Sequence, residues 1–335
     1  MASKSTLCLK QLRITEQLKD IEAKRIVQPV LFPTEEAQAS SEPVVRQSNK
    51  LLSLTRLSQG DFFAADLIDC SIKSDMATME APFFSLRTNP DLKRWHWESK
   101  DGKKVVEVVP SVLGRATIHD KDVLIYIASQ MTEALNRSRV DAKHRIVRFS
   151  TYDYLRATNK NVSGKDYDAL EYSLRRLSGT RIFTNIMTGG QRTKTDFGFI
   201  DSFQIAEKSS IEGKMMAVRV TISEWLFWAI QNREVLTYDP AYFKLRKTTD
   251  RRIYEIVRKH CGYQSAWTVG LSLLHAKSGS CSTLYEFHKA MKELVSCNHL
   301  PEYWVKLTSA VKIIDVKVHF YRRDKLKSIL HLVRH

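Results

Sequence analysis

The sequence predicts an α+β protein made of two tandem winged-helix domains, with an N-terminal β-hairpin extension and a flexible N-terminal arm. Three observations carry that expectation. One pattern of three helices occurs twice, at 122–177 and at 250–294. Runs of alternating apolar and polar residues, the mark of half-buried strands, follow each trio. The chain holds 53 Lys and Arg against 37 Asp and Glu, a net charge of +16, and both trios are rich in basic residues.

The elements follow in order. Residues 1–58 form the arm, with helix-capable polar sequence at Leu9–Arg25 and a Glu-, Gln-, Ser- and Pro-rich stretch at Thr34–Ser48. Its one apolar island is Gln28-Pro29-Val30-Leu31-Phe32-Pro33. The first domain spans 59–234. Asp61-Phe62-Phe63 is expected to start a short helix. Lys93–Ser99 and Lys103–Val109 flank Asp101-Gly102, a strong hairpin signal, and this hairpin is expected to join the sheet of the first domain. The first trio is Asp122–Leu135, Thr151–Thr158 and Asp166–Leu177. Strands are predicted at Arg181–Ile186, Phe197–Ile205 and Met216–Ile222, with a wing tip at Thr188–Lys194, where two glycines permit a tight turn. Ser223–Gln231 reads as a helix capped by Ser223, with Trp225, Leu226 and Trp228 on or near its buried side.

The second domain spans 235–323. Its trio is Asp250–His260, Leu271–Ser278 and Thr283–Leu294, followed by strands at Tyr303–Leu307 and Val311–Tyr321 and a basic tail at 324–335. Adding 117 to the third helix superimposes its apolar face: Leu170 falls on Phe287, Leu174 on Met291 and Leu177 on Leu294. For the short helix the offset is 119–120, with Phe149 on Val269 and Leu155 on Leu274.

Composition and motifs narrow the function. A strongly basic balance favours a polyanionic partner through phosphate neutralisation. Five scattered cysteines, Cys8, Cys70, Cys261, Cys281 and Cys297, suit a reducing compartment and a cytoplasmic protein better than a disulfide framework. The ligand types around His260-Cys261 and Cys297-Asn298-His299 match no standard zinc spacing, so no metal and no cofactor are expected. No apolar run reaches transmembrane length, so no membrane partner is expected. Ser163-Gly164-Lys165-Asp166 lacks both the first glycine and the final hydroxyl of a phosphate-binding loop. His96 is followed by Trp97 and Glu98, so the metal-binding His pair of a nicking enzyme is absent. The expectation is a binding protein rather than an enzyme.

In a winged helix the third helix enters the major groove of duplex DNA. For the second domain the residues chosen for base contact are Tyr285, His288 and Lys289, with Lys292 on the same exposed side. Ser282 and Thr283 suit either phosphate or helix capping, and Lys277 and Ser278 suit phosphate. For the first domain Lys160, Ser163, Lys165, Asp168, Glu171, Tyr172, Arg175 and Arg176 read as exposed. Asp168 and Glu171 are poor neighbours for phosphate. Contacts there are assigned to Lys165, Arg175, Arg192 and Lys194, largely to the backbone. Arg175 and Arg176 have the alternative of ion pairs with Asp168 or Glu171 at helical spacing. The second domain is thus expected to supply sequence specificity, and the first to supply affinity and a dimer surface.

Several strings are more specific: Asp75-Met76-Ala77-Thr78-Met79-Glu80, Pro110-Ser111-Val112-Leu113-Gly114, Ala116-Thr117-Ile118-His119-Asp120-Lys121-Asp122, Phe197-Gly198-Phe199-Ile200-Asp201-Ser202, Arg251-Arg252-Ile253-Tyr254-Glu255 and Lys277-Ser278-Gly279-Ser280. Through them the stretch 61–323 resembles the plasmid replication initiator protein A (RepA) family. The resemblance implies a DNA-binding initiator that recognises repeated origin sites (iterons), opens the adjacent duplex and recruits host replication proteins, including the helicase. It also implies similarity to tandem winged-helix initiators, whose dimers often repress their own promoter. The alternative is a transcriptional regulator with the same DNA-binding heads and no origin opening. Separately, Gln28, Leu31 and Phe32 resemble the Q-x-x-L-F peptide that docks on the replicative sliding clamp, with Pro29 in place of the usual Leu.

Overall fold

The computed structural model describes residues 62–67, 69–186, 194–210 and 213–325. The Gln28–Pro33 island, Asp61, Arg192 and most of the basic tail lie outside the described residues.

The first element among the described residues is a strand where a short helix was expected. β1 (Phe63–Ala64) pairs in parallel with β5 (Ile146–Ser150), and Phe63 is fully buried. Tertiary pairing at the free edge of β5 outweighs the local capping signal. β2 (Lys73–Asp75) leads into α1 (Met76–Glu80), where Asp75 accepts from the Thr78 amide at 2.8 Å. β3 (Trp95–Glu98) and β4 (Val105–Val109) form the hairpin expected around Asp101-Gly102, with Gly102 at φ +66°.

α2 (Lys121–Asn136) begins the first trio and is buried on nearly all sides. Its run Val123-Leu124-Ile125-Tyr126-Ile127-Ala128 has no polar face, which is how a central helix reads. Most of it lies in the first core, while Ile125 belongs to the second. β5 then runs into α3 (Thr151–Ala157), and α4 (Gly164–Gly179) follows with a Ser163/Asp166 capping box. Leu170, Leu174 and Leu177 of α4 face the core.

β6 (Arg181–Thr184) and β7 (Thr195–Gly198) form a hairpin around the segment expected to be the wing tip. That hairpin belongs to a different sheet. β6 pairs with β4, giving the order β3-β4-β6-β7, and Val106, Val108 and Ile182 are fully buried in the same core. The sheet of the first trio instead has the order β1-β5-β9-β8, built with β8 (Ile200–Ser210) and β9 (Gly213–Ile222). The β6–β7 hairpin is therefore inserted between the trio and the strands β8 and β9, and the β3–β4 hairpin precedes the trio. They do not extend its sheet.

α5 (Glu224–Gln231) is capped by Ser223, whose hydroxyl accepts from the Leu226 amide at 3.3 Å. Trp225, Leu226, Ala229 and Ile230 are buried, but Trp228 is 53% exposed. β10 (Val235–Thr237) pairs antiparallel with β2, tying the start of the second half to the N-terminal extension.

The second trio is α6 (Thr248–Cys261), α7 (Leu271–Ser278) and α8 (Leu284–Cys297), with β11 (Ala266–Gly270) between the first two. β12 (Tyr303–Leu307) and β13 (Lys317–Arg322) close it in the order β11-β13-β12. Both halves thus run helix, strand, helix, helix, strand, strand, and in both the first strand pairs with the last. The superimposed positions share burial: Leu170 and Phe287, Leu174 and Met291, Leu177 and Leu294, Leu155 and Leu274 are all core residues. Among the described residues, no helix is long and apolar enough to cross a membrane.

Candidate nucleic-acid interface

α8 is held in place before its outer face is considered. Thr283 and Glu286 form a reciprocal capping box, the Thr283 amide donating to Glu286 Oε2 at 2.9 Å and the Glu286 amide to Thr283 Oγ1 at 3.2 Å. The carboxyl of Glu286 is lowered by these Thr283 contacts. His275 Nε2 lies 2.9 Å from the Ser282 carbonyl, and Ser282 Oγ lies 2.9 Å from Ser280 Oγ. The turn before it needs Gly279, at φ +71°, where a Cβ would stand 2.3 Å from Pro82 Cβ. With Phe287, Met291 and Leu294 inward, Tyr285 is 69% exposed, Lys289 and Lys292 are exposed, and His288 is half-buried. Burial and the neighbouring Lys292 lower the His288 imidazole. Neither Lys289 nor Lys292 enters an ion pair among the described residues.

The flanking candidates divide. Ser282 is half-buried and the Thr283 hydroxyl is committed to the cap. Ser278, expected at phosphate, is fully buried and donates to the His275 carbonyl at 2.7 Å; a buried hydroxyl cannot meet a phosphate. Lys277 is half-buried against the N-terminal extension, and burial lowers its ammonium.

On α4 the outer face is largely compensated. Arg175 pairs with Glu171, one turn away. Arg176, expected to be exposed, turns inward and grips buried Asp120 with two bonds of 2.7 Å. Lys160 pairs with buried Asp122 at 2.5 Å. Lys165 is exposed without an ion pair among the described residues, and Asp168 and Tyr172 stand beside it on the surface. Lys194 is exposed just before β7, beside the β6–β7 hairpin rather than on the β8–β9 hairpin.

Two groups escaped the sequence reading. The first is a buried ionic seam joining the halves. Lys121 Nζ lies 2.7 Å from Glu255 Oε1, which also accepts from Tyr242 at 2.9 Å. Arg252 reaches Glu255 Oε2 at 3.2 Å and the carbonyls of Thr78 and Met79 at 2.9 and 3.0 Å. Arg251 pairs with Asp122 at 2.6 Å. All five charged groups are at most 4% exposed. These residues lie in two of the specific strings, Ala116–Asp122 and Arg251–Glu255, so the strings mark a structural joint. Nearby His119 is driven down to about 4 by burial and by Arg251. The second group is on the β12–β13 hairpin, where Lys306, Lys312 and Lys317 have no ion pair among the described residues. Their signal was present as alternating lysines, but only pairing shows which cations remain free.

The described chain is an α+β fold of two like-ordered halves with a cationic outer face on α8. The match to domains 2 and 3 of RctB supports that fold: a crystal structure of selenomethionine derivatives aligns with a TM-score of 0.53 at 15% identity, over 73% of this chain and 97% of that one. A second RctB structure of the same domains aligns with a TM-score of 0.50, also at 15% identity, over 77% and 99%. The family described as Replication initiator protein A matches residues 73–305. A protein of Wigglesworthia glossinidia brevipalpis named "Putative replication protein" is 35% identical over 262 residues, 78% of this chain and 94% of its own length. The chain belongs to the replication initiator protein A family.

Proposed function

We propose that each half is a winged-helix unit and that the protein initiates replication of a plasmid-type replicon by binding repeated duplex sites at its origin. The observation that carries this reading is α8. It has a doubly capped N-terminus, an apolar inner face and an outer face of Tyr285, His288, Lys289 and Lys292, with no ion pair on either lysine among the described residues. A free ammonium costs little to move onto a phosphate or base edge, whereas a paired one must first lose its carboxylate. α8 is therefore assigned the sequence-reading role. α4, whose arginines are engaged, adds backbone affinity through Lys165; Lys194, and Arg192 outside the described residues, are assigned the same role. The ionic seam keeps the two helices at a fixed spacing along the duplex.

On this reading the protein acts by binding rather than catalysis, opens the duplex next to its sites and hands it to host replication proteins. Homodimers and autorepression fit the same heads. Gln28, Leu31 and Phe32 are assigned to clamp docking; an arm peptide whose clamp affinity survives Leu31→Ala with Phe32→Ala would remove that assignment. A transcriptional regulator is the second reading, because it would use the same α8 face.

Footprinting on the DNA flanking its own gene tests the main proposal. Protection of several direct repeats supports an initiator, and protection of a lone inverted repeat at a promoter supports the regulator. Lys289→Ala should cost about 1–3 kcal/mol at the protected site and little on random duplex. Equal losses on both would remove α8 from the reading role.

A further inference from the structure

A cavity of about 450 Å³ lies on the flank of α4, between that helix, the loop at 87–90 and the loop at 113–115. Its lining is largely apolar, with Leu113, Tyr154, Ala169, Leu170 and the ring of Tyr172. The two loops are clasped together. The Arg115 amide donates to the Asp91 carbonyl at 2.9 Å. Gly114, at φ +92°, packs so closely that a Cβ would stand 2.8 Å from the Asp91 amide nitrogen. Leu92 and Val112, next along the same loops, are 61% and 93% exposed.

The charge around this cavity is unbalanced. Asp120 is engaged by Arg176 and by the Thr117 amide at 2.7 Å, and Asp166 closes the cap of α4. Arg115 gives Nε and Nη2 to Asp91, while its Nη1 has no hydrogen bond among the described residues. Asp122 serves both Lys160 and Arg251, so one carboxylate offsets two cations. Arg87 is exposed on the edge of the cavity and enters no ion pair among the described residues.

We infer that this cavity docks a short acidic segment of another protein: one aromatic side chain of that segment sits against Leu113, Leu170 and Tyr172, and its carboxylates face Arg87 and Lys160. An aromatic ring removes the most apolar surface from water and adds a ring contact with Tyr172. Cations without a full partner select acidic flanks and reject basic ones. A duplex brings phosphates to the rim but no side group that fills an apolar cavity. A small anion would leave Leu92 and Val112 bare, whereas a peptide running over the two loops covers them. The inference stands independently of the assignment of α8 to DNA.

The test uses the full chain and fluorescently labelled peptides in which aspartates flank one central residue, Trp, Phe, Leu, Ala or Lys, read by anisotropy. The Trp or Phe peptide is expected to bind at least about tenfold more tightly than the Ala peptide. Arg87→Glu should weaken it about tenfold, while Lys100→Glu, the same charge change on the exposed turn between β3 and β4, has little effect. Ala169→Trp fills the cavity from an exposed helical position and should abolish the preference for an aromatic centre. All three positions are exposed, so the variants keep the core, and circular dichroism checks them. Peptides of every centre binding alike, equal weakening by Arg87→Glu and Lys100→Glu, or an aromatic preference that survives Ala169→Trp overturns the docking site. Displacement of all peptides alike by inorganic phosphate reassigns the cavity to a small anion. Loss of duplex affinity in Ala169→Trp with no peptide bound reassigns it to the DNA backbone. Both of those results also overturn the inference, and none of them touches the footprint or the Lys289→Ala comparison, which judge the α8 assignment separately.

Discussion

Glu255→Gln is the most incisive change to the ionic seam. The substitution keeps the volume of the side chain and removes a charge that faces two buried cations, Lys121 and Arg252. Lys121 is completely buried, and Glu255 is its ion-pair partner at 2.7 Å. Losing the anion leaves an ammonium in low dielectric without compensation, which typically costs about 3–5 kcal/mol. Arg252 is better protected, because the Thr78 and Met79 carbonyls still accept from it. The mirror change, Lys121→Met, leaves Glu255 with Arg252 and Tyr242, so a smaller loss of about 1–3 kcal/mol is expected. In the double variant the losses should fall short of additive, since the uncompensated ammonium is gone. Urea unfolding of the four proteins measures the cycle. A Glu255→Gln loss below about 1 kcal/mol, or a larger loss for Lys121→Met, would refute a buried joint with this partner order.

Other outcomes follow from the same structure. Thr283→Ala should lower stability by about 1 kcal/mol through loss of the α8 cap, whereas Thr283→Ser should retain most of it, as thermal unfolding can check. Gly279→Ala should be destabilising by more than about 1 kcal/mol, because φ +71° and Pro82 both oppose a Cβ. His119 and His260 are both held down to about 4, in each case chiefly by burial. Their neutral forms therefore stabilise the fold above the unfolded value near 6.5, and that stability is lost as pH falls from 6.5 towards 4. The loss should reach up to about 3 kcal/mol per site. His119→Gln should flatten the slope in that window. Lys165→Ala should weaken specific and random duplex alike and reduce the salt slope by about one.

The repeat was legible because helices and strands advertise themselves locally. The apolar face at 170, 174 and 177 recurs at 287, 291 and 294, and both sets are buried. The Ser223 cap, the Asp101-Gly102 hairpin and the Tyr303–Leu307 strand are also short-range signals. Strand partnership was less legible. Arg181–Ile186 reads as a strand as well as Met216–Ile222 does, and nothing nearby says that β6 belongs with β4 while β9 belongs with β5. Trp228 was misread because a helix of eight residues with five buried side chains offers several candidate faces.

By itself, the sequence determined the two trios, their inner faces and a cationic balance suited to a polyanion, since each depends on residue type and spacing within a few turns. Only the tertiary structure decided which cations are free. Arg176 and Lys289 are equally basic in the sequence, yet one is clasped by Asp120 from 56 residues away and the other has no ion pair among the described residues. Lys121 and Glu255 are 134 positions apart. Charge pairing depends on distance in space, so the spacing of residues along a chain cannot assign it.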